Sequence, residues 1–150
     1  MGEGWISFGP DGGVTGLSLP GLPAPHSLAA RPPTSVVCLA GALSDYFAGR
    51  GPCPSGHQHA AAAARTPFEQ RVYEVVCSIP AGSSMTYGAV AAAVGRPGAA
   101  RAVGAAMARN PFAPAIPCHL VVGADGGLRG YRGGIEMKRR LLQAETFRNE

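Results

Sequence analysis

The chain has 150 residues, of which 46% are hydrophobic and only 15% charged, a mix that supports one packed domain, or one with a small appendage, and argues against disorder. No apolar run approaches the roughly 20 residues of a membrane span, and no basic stretch followed by an apolar one opens the chain. An intracellular protein without a secretory leader is the expectation, in the cytoplasm or nucleoid, or in a nucleus if the source has one. The net charge of +4 is uneven: Arg31 and Arg50 face Glu3, Asp11 and Asp45, whereas from Arg65 onward eleven basic residues outnumber six acidic ones.

A basic C-terminal part admits a polyanionic partner, although a merely solvated basic face would read the same way. The four cysteines, Cys38, Cys53, Cys77 and Cys118, form no C-x-x-C pair. In a reducing compartment they are separate thiols.

In chain order, "GWISFGPDGGVTGLSL" predicts two short strands about a turn at Asp11-Gly12-Gly13. The proline-rich 19–33 segment reads as a linker. "TSVVCLAGALSDYFAG" predicts a helix capped by Thr34 or Ser35 and stopped at Gly49. Residues 50–65 read as a second irregular stretch. "TPFEQRVYEVVCSIP" carries a full helix start: Thr66 as cap, Pro67 in the first turn and Glu69 completing a capping box. Phe68, Val72, Val75, Val76 and Ile79 then form an apolar stripe, with Cys77 a core or half-buried thiol.

"MTYGAVAAAVGRPGAARAVGAAMARNP" predicts two short helices, from near Thr86 to Gly95 and from about Gly98 to Arg109, across a "GRPG" turn. That is a helix-turn-helix pattern, weak evidence by itself. The second helix is built from Ala, Gly and Val, with Arg101 as its one long polar side chain before Met107 and Arg109. It lacks the Asn, Gln, Arg and Lys side chains that read base edges. Such a helix suits either tight packing in a core or a close approach to a nucleic-acid groove that ignores base sequence. "GIEMKRRLLQAE" predicts a final helix.

Chemistry concentrates at "NPFAPAIPCHLVV". A thiol becomes a strong nucleophile as thiolate, and histidine can take its proton. Neighbours in a straight strand point to opposite faces, so Cys118 and His119 can couple only through a bridging water or an irregular backbone. Pro111, Pro114 and Pro117 disfavour a regular strand before Cys118. A carboxylate should orient the imidazole, and spacing does not choose among Asp125, Glu136, Glu145 and Glu150.

Together, "FEQRVYEVVCSIPAG", "TYGAVA", "RAVG", "NP", "PCH" and "GYRGG", in order and at matching spacings from about Arg65 to Glu145, resemble the O6-alkylguanine-DNA alkyltransferases. The N-terminal strands and "LSDYFAG" resemble the family's small N-terminal domain less clearly. The resemblance implies an α+β fold: a reduced N-terminal α/β domain over residues 1–62, then a mainly helical DNA-binding and catalytic domain over 63–150 holding the helix-turn-helix and the cysteine loop.

The implied activity is DNA repair by a suicide methyltransferase, in which an alkyl group passes from guanine O6, with thymine O4 a further candidate, to Cys118. No cofactor or metal is implied. The implied partner is double-stranded DNA, bound by a monomer through the minor groove without sequence preference. His119 would deprotonate Cys118 through a water, with Glu145 orienting it. Tyr87 would hydrogen-bond guanine N3 and stabilise the departing purine, and Tyr131 would line the guanine pocket. The backbone N–H of Arg132 would meet O6, and the carbonyls of Cys118 and Val121 would accept from the exocyclic amine. Asn110 would tie the second helix to the cysteine loop. Arg101 would fill the base stack while the lesion flips out. Ala102 and Gly104 would lie against the groove, with Thr86 and Gly88 meeting phosphate.

Leu120 stands where the family carries Arg, Arg132 where a small residue is common, and the N-terminal domain is trimmed. The alternatives are a non-catalytic binder of alkylated guanine, a helix-turn-helix regulator that senses alkylation and, more remotely, a thiol hydrolase. Cys53, His57 and His59 invite a zinc reading, but their spacing in a Pro/Gly-rich loop suits a surface loop better.

Overall fold

The computed structural model describes residues 4–11, 13–20, 22 and 31–147. Gly12 of the expected turn, most of the 19–33 segment and Glu150 lie outside them. Among the described residues the architecture is mixed: a two-stranded hairpin, six helices and one small parallel strand pair.

β1 (Trp5–Phe8) and β2 (Val14–Ser18) pair antiparallel, with Trp5 opposite Ser18 and Ile6 opposite Leu17. Leu17 and Leu19 face the core. α1 (Thr34–Phe47) buries Val36, Leu43 and Tyr46 and ends at Gly49, whose φ of +74° takes the left-handed turn that glycine tolerates. Its N-cap is Pro33, in an extended conformation that feeds the first turn directly. Thr34 is therefore already helical, and the expected Thr34 or Ser35 cap is not used. Residues 57–63 are not irregular as expected: a 3-10 turn at His57–His59 runs into α2 (Ala60–Ala63), because an alanine run has the highest helix propensity available.

α3 (Pro67–Cys77) starts as the sequence predicts, with Thr66 Oγ1 accepting from the Glu69 N–H at 3.2 Å. The return half of the box differs. Glu69 Oε2 accepts from the N–H of Arg65 at 2.7 Å rather than from Thr66. Its other oxygen is held by Arg109, with Nε at 2.9 Å. Burial alone would raise the Glu69 pKa, but the Arg65 N–H and the Arg109 guanidinium bring it below the ordinary carboxylate value. Tyr73 is fully buried on this helix, a core position missing from the expected stripe. Its hydroxyl donates to the carbonyl of Ala106 at 2.9 Å and fastens α3 to the helix hairpin.

α4 (Tyr87–Ala93) and α5 (Ala100–Arg109) form that hairpin, with Gly95 and Gly98 at φ +75° and +89° in the turn. Thr86 caps α4 by accepting from the Ala89 N–H at 3.0 Å. β3 (Met85–Thr86) pairs parallel with β4 (Val121–Val122) and ties the start of α4 to the chain just past the cysteine. Two residues carry no detectable period, so this pair has no sequence signal. α6 (Ile135–Phe147) follows Gly134, at φ +88°.

The core joins Val72, Val76, Val90, Val103, Phe112 and Ile116, so the 112–116 segment is core as well as loop. The hairpin backs it, with the Leu17 N–H donating to the Pro111 carbonyl at 2.6 Å. A Cβ on Gly56 would come within 2.5 Å of the Ala115 carbonyl oxygen, so only glycine lets the 49–56 stretch lie this close. Among the described residues no helix is long and apolar enough to cross a membrane.

Candidate active site

Cys118, His119 and Leu120 form a single 3-10 turn after Pro117, and β4 begins only at Val121. The turn supplies the irregular backbone that a Cys-His neighbour pair requires. Two hydrogen bonds fix it, Cys118 N–H to the Ile116 carbonyl at 2.8 Å and Leu120 N–H to the Pro117 carbonyl at 2.9 Å. All three side chains are buried.

His119 Nε2 lies 3.5 Å from Oε1 of Glu145, an ion-pair distance rather than a formed hydrogen bond. Neither ring nitrogen has a hydrogen-bond partner among the described residues. Two of the other carboxylates are engaged elsewhere: Asp125 pairs with Arg129 at 3.0 Å, and Glu136 with Arg139 and Arg140. Glu145 Oε1 also accepts from the Tyr46 hydroxyl at 2.7 Å.

Burial dominates the titration here. It pushes the Cys118 thiol up, against hydrogen bonds from Asn110 and Tyr131 and the charge of Lys138. It pushes His119 down, against Glu145. At neutral pH the pair therefore rests as neutral thiol and neutral imidazole, and the proton moves only when a reaction draws it.

A cavity of about 340 Å3 opens beside the sulfur, with Tyr87, Asn110, Cys118, Tyr131, Arg132 and Lys138 in its wall. Asn110 spans the loop: its Nδ2 donates to the Ile116 carbonyl at 2.8 Å and its Oδ1 accepts from the Phe112 N–H at 2.9 Å. Burial raises the Tyr87 pKa, so its hydroxyl keeps its proton. The Tyr131 hydroxyl is buried beside the Cys118 thiol, and burial together with that thiol raises its pKa as well. Arg132 is exposed.

Lys138, in none of the sequence motifs quoted for the site, also lines this cavity. It is 1% exposed, donates from Nζ to the Val121 carbonyl at 2.6 Å and lies 5.8 Å from the Tyr87 ring centre. Burial lowers its pKa, while nearby Cys118 raises it. Its signal was present in the sequence, because Lys138, Leu141 and Glu145 fall at helical spacing on one face, placing two charges on an apolar stripe. The Val121 carbonyl, expected to face a guanine amine, thus already accepts a hydrogen bond from Lys138.

On the hairpin, Arg101, Ala102, Ala105 and Ala108 line the exposed face of α5. Gly104 is half-buried, and a Cβ there would lie 3.9 Å from the Tyr87 ring. Thr86 is half-buried and Gly88 exposed at the start of α4. His59 stacks on Phe112 at 4.6 Å, and the Cys53 thiol donates to the Pro114 carbonyl at 3.3 Å. Among the described residues no three His, Cys, Asp or Glu side chains are placed to share a metal.

A buried Cys-His-Glu line opening on a pocket beside a helix-turn-helix defines the class. Residues 67–147 match the family described as 6-O-methylguanine DNA methyltransferase, DNA binding domain. The chain is 45% identical over 109 residues to a methylated-DNA–protein-cysteine methyltransferase of Salmonella typhimurium, covering 73% of this chain and 63% of that protein. It is 52% identical over 83 residues to the protein of that name in Mycobacterium bovis, covering 55% and 50%. The chain thus spans about half to under two thirds of these relatives. The crystal structure of Mycobacterium tuberculosis OGT in complex with DNA superposes with a TM-score of 0.76 at 35% identity, covering 95% of this chain and 86% of that one. The chain belongs to the 6-O-methylguanine DNA methyltransferase family.

Proposed function

We propose that this chain repairs DNA by taking the alkyl group of an O6-alkylguanine onto Sγ of Cys118, once per molecule. As the S–C bond forms, the C–O6 bond breaks. The thiol proton passes through a water to His119, whose developing charge Glu145 balances, and the purine leaves as an anion that Tyr87 stabilises at N3 and that finally takes up a proton. A thioether does not hydrolyse, so no turnover follows. Tyr131 and the Arg132 N–H frame the guanine, with the Cys118 and Val121 carbonyls at its amine.

The binding side follows from α5, whose small exposed residues allow close approach to the minor groove of duplex DNA, with Arg101 filling the gap left by the flipped base. Ala102, Gly104, Thr86 and Gly88 border that contact. The chain works as a monomer, in an intracellular reducing compartment where Cys118 stays a thiol. The same reading divides it into residues 1–62 and 63–150.

One juxtaposition carries the proposal: Cys118 borders a cavity of about 340 Å3 while the adjoining His119 has Nε2 3.5 Å from Glu145. The presence of the cysteine disfavours a passive lesion binder. The test is duplex DNA labelled in the methyl of O6-methylguanine. One equivalent of label on Cys118, absent in Cys118→Ala, is expected. Tight lesion binding without label would mean a marker, and label released beyond one equivalent a hydrolase.

A further inference from the structure

One buried hydroxyl has no part in the chemistry proposed above. Tyr46, in the last turn of α1, is 1% exposed and donates to Glu145 at 2.7 Å. The accepting Oε1 is the oxygen that lies 3.5 Å from His119 Nε2. Any buried tyrosine needs an acceptor, and a backbone carbonyl would meet that need without touching the chemistry. Here the acceptor is the one carboxylate beside the imidazole, reached by a helix 99 residues away in sequence.

We infer that Tyr46 is a positioning residue: through α1 it pins the Glu145 carboxylate against His119, and so sets which nitrogen of the imidazole keeps its proton. The inference rests on the alkyl-transfer reading above. On its other side Glu145 borders a second cavity, of about 500 Å3, together with Arg50, Cys53, Cys77 and Leu120. Arg50 pairs with Asp45 at 2.8 Å, Cys77 is pushed up to about 11 by burial, and Leu120 adds no charge to that wall. From α6, Lys138 lowers the His119 pKa, and from the cysteine turn Cys118 is a neutral thiol at rest. From α1, the Tyr46 hydroxyl donates to Oε1 at 2.7 Å.

Without that hydroxyl the carboxylate can turn into the larger cavity. His119 Nε2 then loses the carboxylate that lies 3.5 Å from it, in a site where no water-like dielectric compensates. The preferred tautomer, with Nδ1 free to take the thiol proton, is no longer fixed.

The test uses the full chain as wild type, Tyr46→Phe, Glu145→Gln and the double variant. Nitrogen NMR shifts of the His119 imidazole report its tautomer, and the transfer rate from free O6-benzylguanine reports the chemistry. Wild type is expected to hold one tautomer with the proton on Nε2. Tyr46→Phe is expected to show a mixture and to react about tenfold more slowly, the scale of a small misplacement of a reacting group. In the Glu145→Gln background, adding Tyr46→Phe should change neither readout beyond about twofold, because the two act as one unit.

A Tyr46→Phe protein with wild-type tautomer and rate overturns the inference. So does an equal loss in the Glu145→Gln background. So does a matching loss from Leu43→Ala, which loosens α1 from the core without touching the carboxylate. If the wild type does not transfer at all, the alkyl-transfer reading falls, while the tautomer measurement still decides the role of Tyr46.

Discussion

Two neighbouring regions are built on opposite principles. From Asn110 to Val122 polar groups turn inward to named partners: Asn110 to Ile116 and Phe112, Pro111 to Leu17, Cys118 to Ile116, Val121 to Lys138. The outer face of α5, ending one residue earlier, shows Ala102, Ala105 and Ala108 and a projecting Arg101. The first region fixes the loop around Cys118 by satisfying the backbone around it. The second makes a contact surface by leaving side chains out. In the proposed reaction, chemistry belongs to the loop and duplex recognition to the helix, so substitutions in the two regions should separate.

The largest effect is expected from Asn110→Ala. It leaves the buried Phe112 N–H without its acceptor and takes one of two donors from the Ile116 carbonyl, which keeps the Cys118 N–H, at a cost of about 1–3 kcal/mol of stability. It also removes a hydrogen bond that holds the Cys118 thiol down against burial. Transfer should fall about a hundredfold, equally on duplex DNA and on free O6-benzylguanine. Melting curves and single-turnover rates on both substrates check this, and a loss confined to duplex would move Asn110 from the chemistry to the contact face.

Arg101→Ala comes second and should separate the substrates. Arg101 is exposed at the first turn of α5, so removing it should leave the fold and the reaction with free base intact. Repair in duplex should slow by at least about tenfold, the scale of a few kcal/mol of unstacking left uncompensated. Equal loss on both substrates would break the division between helix and loop.

The same contrast explains what the sequence revealed. The C-terminal helices are punctuated by local chemistry: Thr66 and Thr86 cap them, Gly95 and Gly98 turn between them, and Asn110-Pro111 stops α5, so their ends are legible within a residue or two. The site is legible as a list of residue types, because the motifs "PCH" and "GYRGG" are contiguous. What stayed hidden depends on contacts distant in sequence. Tyr46 looks like an ordinary helix residue until α1 meets Glu145 of α6. Glu69 reads as a capping-box member until Arg109 arrives from α5. The β3–β4 pair exists only because Met85 and Thr86 meet Val121 and Val122 across the chain, whereas the helical 57–63 stretch follows an alanine propensity that the neighbouring Pro and Gly residues masked.

The smallest effect is expected where the two regions touch. Gly104 sits on α5, but its Cβ direction points at the Tyr87 ring, 3.9 Å away, which is ordinary contact rather than a clash. Gly104→Ala should therefore fit and, by helix propensity, stabilise the chain by about 0.5–1 kcal/mol. Its transfer rate should stay within about twofold of wild type on both substrates. A drop in duplex repair alone would mean that the groove presses on the Gly104 backbone itself. The small face of α5 would then extend further toward the pocket than its exposed alanines indicate, and contact surface and reaction site would share a wall.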